Sequence, residues 1–292
     1  GMTTQTAQPA LTPAEKWERA TLANNFLFYK VMRHHPDACK GMLELLLGIQ
    51  IEKLEMAAED SIDIDHDAKA VRLDVYAKDS QRVFDIEIQI ANTKELPERA
   101  RFYQGIMDID SLKSGELYKD LKDSHVIFIC MSDIFERGLP IYNFENLCRE
   151  DISLSLGDRS YKHFFIAPIC ATMLTNTEQK AFFELLTANK ASSVFTDTLK
   201  RYVDDAKQNT QWRVQYMTWE RQQAYAYRDG KDEGIAIGLA EGRSAGIAEG
   251  SRTAKLEAAR NALAMGLPCA QVSQITGLSP ADVQQLAESL HD

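Results

Sequence analysis

Two neighbouring stretches of the chain alternate between apolar and more polar residues, the pattern of β-strands with one buried face. In residues 71–76 the odd positions are apolar, and in residues 84–90 the even positions are apolar. The polar positions of these stretches include Asp74, Asp85 and Glu87. The pattern therefore predicts two strands, each with one apolar and one polar face.

The spacing of the two stretches predicts a hairpin. A polar run, residues 78–82, separates them, and a loop centred between Ser80 and Gln81 pairs them so that both apolar faces coincide. This register places Asp74 directly opposite Glu87, with Cβ atoms about 4.5–5.5 Å apart. Two carboxylates at that separation can share one hard divalent cation such as Mg²⁺. The alternative is an ordinary solvated strand face.

Helical periodicity is expected at about residues 14–35 and 39–50 and again over residues 96–115. In the last of these, Arg99 and Tyr103 are one turn apart on one face. They could clamp and orient a phosphate, or they could belong to a face that packs on the sheet. Because Lys94 precedes this helix, it is either a second cation near the site or a solvated residue at the helix start.

The middle of the chain predicts further strands and helices. Residues 125–131, HVIFICM, are a continuous apolar run and predict a buried central strand. Residues 161–169 predict another strand, in which we expect His163 to be an edge or cap residue rather than a ligand. Residues 176–229 have a helical pattern, and the aromatic residues Trp212, Tyr216 and Trp219 have the spacing of a packing stripe.

The C-terminal part has an unusual repeat: glycine recurs every four residues from Gly230 to Gly250. A flexible linker is favoured over an oligomerising helix, since each helical glycine costs about 1 kcal/mol relative to alanine. Residues 253–292 then predict three short helices, as in a helix-turn-helix. Residues 267–292 contain no lysine or arginine, so a protein-contact module is favoured over a DNA reader.

Composition further limits the class of protein, its partners and its cellular compartment. The net charge of −10 argues against extensive contact with phosphates, although a local cleft can differ. Five cysteines without metal-binding spacing favour a reducing cytoplasm over a disulfide framework or zinc site. No apolar run is long enough for a membrane span, and we expect no secretory signal. The polar residues 1–12 predict a disordered start.

Several short motifs together resemble one family. LDVYAKD, the Glu-Ile-Gln triplet of IEIQI, ERARFYQG, SGELYKDL and WRVQYMTWE, within about residues 24–235, resemble the Rpn (recombination-promoting nuclease, or transposase-like) family of the PD-(D/E)XK nuclease superfamily. The resemblance implies an α/β fold: a restriction-endonuclease-like mixed sheet flanked by helices, followed by a helical C-terminal region. It implies a nuclease-like core with a helical extension over residues 13–228, a Gly-periodic segment at 229–252 and a helix-turn-helix-like module at 253–292.

The resemblance also implies roles for individual residues. Asp74 and Glu87 match the metal-binding acids, and Ile88 would offer its backbone carbonyl to Mg²⁺ or Mn²⁺. Gln89 stands where the superfamily usually has lysine, and it would orient the attacking water by hydrogen bonding. The expected activity is metal-dependent DNA endonuclease cleavage, with an expected link to recombination or mobile DNA. The alternative is a weak or inactive relative that acts as a DNA- or protein-binding assembly protein, with homo-oligomers formed through the C-terminal helices.

Overall fold

The computed structural model describes residues 9–57, 73–90 and 94–291. The chain divides into two compact units, the first ending at Trp219 and the second beginning at Glu220. The helices are α1 Pro13–Arg19, α2 Asn25–His34, α3 Pro36–Leu47, α4 Leu96–Ser111, α5 Ala167–Met173, α6 Thr177–Ala188, α7 Val194–Gln208, α8 Thr210–Ala264, α9 Cys269–Thr276 and α10 Pro280–Ser289, with a 3₁₀ turn at Tyr118–Asp120.

The described strands form one mixed sheet in the first unit, in the order β1-β2-β3-β4-β6-β5. The central pairs β3–β4 and β4–β6 are parallel, whereas the outer pairs are antiparallel. As predicted, the HVIFICM run lies in a buried central strand. The strands are β1 Glu55–Met56, β2 Val75–Lys78, β3 Arg82–Gln89, β4 Asp123–Cys130, β5 Ile141–Phe144 and β6 Ser160–Ile166.

The hairpin of β2 and β3 has the predicted register. Val75 pairs with Ile86 and Lys78 pairs with Val83, so the ladder is centred between residues 80 and 81. Asp79 fixes the turn, because its Oδ1 accepts hydrogen bonds from the backbone N–H groups of residues 81 and 82. The ladder begins at Val75, and residues 71 and 72 of the predicted first strand lie outside the described residues.

The solvated strand face that was the alternative for this hairpin is contradicted on β3, because both faces of the sheet are covered. One apolar core contains Ile86 and Ile88 with side chains of α2, α3, α6 and α7. On the opposite face, Val83 packs with α4 in a second core. Parallel central strands are usually buried on both faces. The polar positions Asp85 and Glu87 therefore lie beneath α4 and are buried.

Polar caps divide the predicted N-terminal helix in two. The Asn24 side chain accepts hydrogen bonds from the N–H groups of Phe26 and Leu27 and starts α2, so the expected helix at 14–35 becomes α1 and α2. The next predicted helix begins earlier than expected, at Pro36, and ends at Gly48 with φ of 64°. Residues 9–12 precede α1 without regular structure, while residues 1–8 lie outside the described part.

The preference for a flexible linker in the glycine-periodic segment is also wrong, since the segment lies within the continuous helix α8. None of Gly230 to Gly250 has a positive φ, and a Cβ added there would meet nothing within 4 Å. The residues between the glycines include alanine, glutamate, lysine and arginine, which favour helix and offset part of the glycine penalty. At the start of α8, Tyr216 is buried and Trp212 packs against the first core, as the predicted stripe requires, whereas Trp219 of the same stripe is exposed.

The C-terminal helices end and begin where the sequence predicted. Gly266 and Gly277 have φ of 85° and 73°, and the Ser279 side chain caps α10, which starts with Pro280. The end of α8 packs with α9 and α10 around a small apolar core that includes Val272. The second unit therefore contains a three-helix arrangement. No helix in the described part of the chain is long and apolar enough to cross a bilayer.

Candidate nuclease site

The predicted site residues come from β3 and from the helix that covers it. Glu87 and Gln89 alternate on β3, so both point to the face on which α4 packs. Arg99 and Tyr103 are one turn apart on α4. The Arg99 side chain contacts each of the other three residues, which distinguishes this helix face from a purely apolar packing surface.

Three side chains accept hydrogen bonds from the Arg99 guanidinium. Its Nη2 lies 3.2 Å from Glu87 Oε2, and its Nη1 lies 3.4 Å from Gln89 Oε1. Its Nε and Nη2 also donate to the Tyr103 hydroxyl at 3.1 and 2.9 Å. The structure therefore brings Glu87, Gln89, Arg99 and Tyr103 together.

Asp85 is a residue of this site that the sequence pattern did not distinguish. It lies two residues before Glu87 on the same face of β3 and is fully buried. Neither of its carboxyl oxygens has a hydrogen-bond partner among the described residues, although Glu87 is close enough to share a proton with it. In the sequence, Asp85 is two positions from Glu87, which places both on one face of the strand. A solvated polar strand face has the same spacing, so the pattern alone could not assign Asp85 to the site.

Burial and mutual repulsion hold the two acids towards their neutral forms. Burial raises the pKa of Asp85 well above its ordinary value, and the negative charge of Asp74 raises it further. Burial likewise raises the pKa of Glu87, as do the charges of Asp85 and Asp74. The Arg99 charge opposes both shifts without cancelling them. The positive charge of Arg99 therefore acts on both buried carboxyl groups.

Asp74 stands immediately before β2, at a bend in the chain. Extending the β2–β3 ladder by one residue beyond Val75 places Asp74 opposite Glu87. The Asp74 backbone N–H donates a hydrogen bond to the Glu87 carboxylate. The expected alternation stops at this bend, because Leu73 packs in the same core as Tyr76 and not with Val75. Asp74 is partly exposed and lines a cavity beside the two buried acids.

A second cation lies in this cavity, and it is not the one considered from sequence. Lys30 of α2 lines the cavity together with Asp74, whereas Lys94 is exposed. Sequence patterns could not identify Lys30, because it precedes Asp74 by more than forty positions and lies on a helix that is largely apolar. His163 is also placed differently from expectation: it lies in β6, between β4 and β5, and its ring contacts His125 and Asn143.

The carboxyl groups fit a hard divalent cation by their chemistry. Among the described residues, no three His, Cys, Asp or Glu side chains form a ready-made metal centre. Magnesium sites commonly use only one or two carboxylates and complete the shell with water and substrate oxygens. Asp74, Asp85 and Glu87 supply oxygen donors, and the two carboxyl oxygens of the buried Asp85 have no hydrogen-bond partner among the described residues. Ile88 stands between Glu87 and Gln89 on β3, with its side chain in the core on the opposite face, and the role of its carbonyl remains a prediction.

The mixed sheet flanked by helices, with acids on a central strand, defines a protein of the PD-(D/E)XK nuclease type. The family model for the PD-(D/E)XK nuclease family transposase matches residues 35–148, which include the hairpin and α4. The model for the Rpn/YhgA-like nuclease family C-terminal HTH domain matches residues 252–288. The chain belongs to the Rpn family of PD-(D/E)XK nucleases. No curated protein and no solved structure is significantly similar to it.

Proposed function

We propose that this protein is a DNA endonuclease that depends on Mg²⁺ or Mn²⁺, with Asp74 and Glu87 as metal ligands. The main support is the pair of buried acids on β3, Asp85 and Glu87, whose pKa values are raised by burial and by neighbouring carboxylates. Burying acids in this way destabilises a fold, so such groups are candidates for function. The match to a nuclease family gives the reaction class.

Each side chain then has a distinct proposed role. A bound divalent ion would activate a water molecule and offset charge on the phosphate. Asp74 and Glu87, with the Ile88 carbonyl, would hold that ion, while Gln89 would orient the attacking water through its side-chain amide. Arg99 has five N–H donors in a planar fork suited to a phosphate, and Tyr103 holds this fork in place through two hydrogen bonds.

The test is cleavage of supercoiled plasmid by the purified full-length protein. Wild-type protein should nick the plasmid with Mg²⁺ or Mn²⁺ and should lose this activity with a chelator. Glu87→Gln keeps the side-chain shape but removes the charge, and activity should fall by about a hundredfold or more. Gln89→Ala removes only a positioning group and should lose about 10- to 100-fold.

Glu98→Gln provides a matched control, because Glu98 is exposed in the first turn of α4. Its activity should equal that of the wild type. If Glu87→Gln is as active as the wild type, the cleavage does not arise at this site and the assignment is wrong.

A non-catalytic relative that binds DNA or protein is the second candidate function. Gln89 in place of lysine and the net charge of −10 favour it. Folded wild-type protein that cleaves no DNA with any divalent metal, but still binds DNA or self-associates, would establish this alternative. The transposase description of the matched family supports a link to recombination or mobile DNA for either candidate.

The partners we propose are DNA and further copies of the chain. Nuclease and HTH domains both suggest DNA binding. However, residues 267–292 contain no lysine or arginine, and α8 exposes Ile235, Leu239 and Ile247. We therefore assign self-association to the C-terminal helices, so truncation after residue 228 should lower the number of chains per particle measured by sedimentation. All five cysteines are unpaired, which supports the proposed cytoplasmic location.

A further inference from the structure

The cavity beside Asp74 has the composition of a nucleotide-binding pocket. Its volume is about 420 Å³, within the range of about 300–1,000 Å³ typical of small-ligand sites. Aromatic rings of Phe26, Tyr29 and Trp219 line it, and Asn25 and Gln215 contribute side-chain amides. Rings can stack on a base, while amides can hydrogen-bond to the polar edge of a base.

Aromatic rings surround Lys30, the cation of this cavity. Lys30 is only 7% exposed, and its Nζ lies 5.5 Å from the ring centre of Phe26 and 5.8 Å from that of Tyr29. The ring of Trp212 lies 5.3 Å from the same atom. Enclosure by aromatic faces stabilises the ammonium charge and restricts its position. A positive charge is therefore positioned in the same cavity as Asp74, where a phosphate next to the proposed metal site would need it.

We propose that this cavity binds one unpaired nucleotide of a DNA substrate, with the base against Trp219 and Phe26 and the adjoining phosphate on the Lys30 side of the cavity. Trp219 is 38% exposed and thus has ring surface free to stack. A base within a duplex is already stacked and paired, so it would have to leave the helix to enter. The inference rests on the proposed nuclease function and adds a substrate class to it: DNA with unpaired nucleotides.

The experiment compares two fluorescent probes in the presence of chelator, where no cleavage is expected. One probe is a blunt duplex, and the other is the same duplex with an unpaired extension on one strand. Wild-type protein should bind the extended probe more tightly in an anisotropy titration. Trp219→Ala should weaken binding of the extended probe about 5- to 140-fold, which corresponds to base stacking of about 1–3 kcal/mol. Binding of the blunt probe should not change.

Two further variants identify the cause. Trp219→Phe retains a stacking ring and should restore most of the preference. Tyr118→Ala is the aromatic control: Tyr118 is 86% exposed and precedes β4, so it lies at the end of the sheet where the parallel strand β3 begins, away from Glu87. It should behave as the wild type.

The results separate this inference from the nuclease function. Equal effects of Trp219→Ala on both probes, or no effect on either, would overturn the nucleotide pocket even if Glu87-dependent cleavage is observed. Binding of the extended probe that depends on Trp219 would support the pocket even if no metal permits cleavage. In that case only the proposed nuclease activity fails.

Discussion

Replacing Asp85 with asparagine should stabilise the first unit at neutral pH. The Asp85 carboxyl group is fully buried, lacks a hydrogen-bond partner among the described residues and is repelled by Asp74. An asparagine has nearly the same shape and no charge, and its amide N–H groups could donate to Glu87. The substitution therefore removes a buried negative charge and supplies a donor to its neighbour.

The magnitude follows from the cost of an unsatisfied buried group, about 1–3 kcal/mol. Near the melting temperature, 1 kcal/mol corresponds to about 2–4 °C for a unit of about 150–250 residues. Asp85→Asn should therefore raise Tm by roughly 2–12 °C. Mg²⁺ should stabilise the wild type more than Asp85→Asn, because a bound cation would offset the charge that the substitution removes.

The pH dependence has a defined sign. The pKa of Asp85 is raised in the folded protein, so folding favours the protonated form. Its contribution is fully favourable below the unfolded pKa of about 4 and is lost as pH rises through the folded value. Stability of the wild type should therefore fall over this interval more than that of Asp85→Asn.

Calorimetry across a pH series, with and without Mg²⁺, measures these effects. Asp205→Asn is the control, since Asp205 is exposed on α7 and its replacement should leave Tm nearly unchanged. A lower Tm for Asp85→Asn at neutral pH, or a pH profile identical to that of the wild type, would refute the reasoning.

Other predictions concern the ion pair and the long helix. Arg99→Ala should destabilise the fold by about 1–3 kcal/mol at neutral pH, less than a fully buried pair because the guanidinium is 32% exposed. Urea unfolding should show a smaller loss at acidic pH, where Glu87 is protonated; an equal loss at both pH values would contradict the role of its charge. Gly238→Ala should increase the stability of α8 by up to about 1 kcal/mol, whereas Ala236→Gly should lower it, as measured by circular dichroism on heating.

The sequence predicted the hairpin register because local polarity is sufficient to determine it. A shift of one residue would have placed Val75 on the face of Asp85 and Glu87, so only the observed pairing keeps it with Ile86 and Ile88. The contact between Arg99 and Tyr103 was also accessible, since residues one turn apart on a helix are neighbours.

Features that depend on contacts between residues far apart in the sequence could not be predicted from local polarity. Alternation on β3 gave no sign that α4 covers the polar positions, so Asp85 looked like a solvated residue. Lys30 reaches the cavity only because α2 packs on the sheet. The glycine repeat was misread for a different reason: propensity alone made the segment marginal, although the intervening residues continue the helix.

The contacts of Arg99 also restrict which residues can occupy position 89. Because Arg99 Nη1 is 3.4 Å from Gln89 Oε1, a lysine at position 89 would place an ammonium group close to the guanidinium. Two positive charges about 4 Å apart repel by about 1 kcal/mol in water and about 4 kcal/mol at a protein-like dielectric constant. Gln89 avoids this repulsion because its amide is neutral and its oxygen accepts a hydrogen bond from Arg99. Gln89→Lys should therefore destabilise the protein, and a simultaneous Arg99→Gln substitution should restore part of the loss.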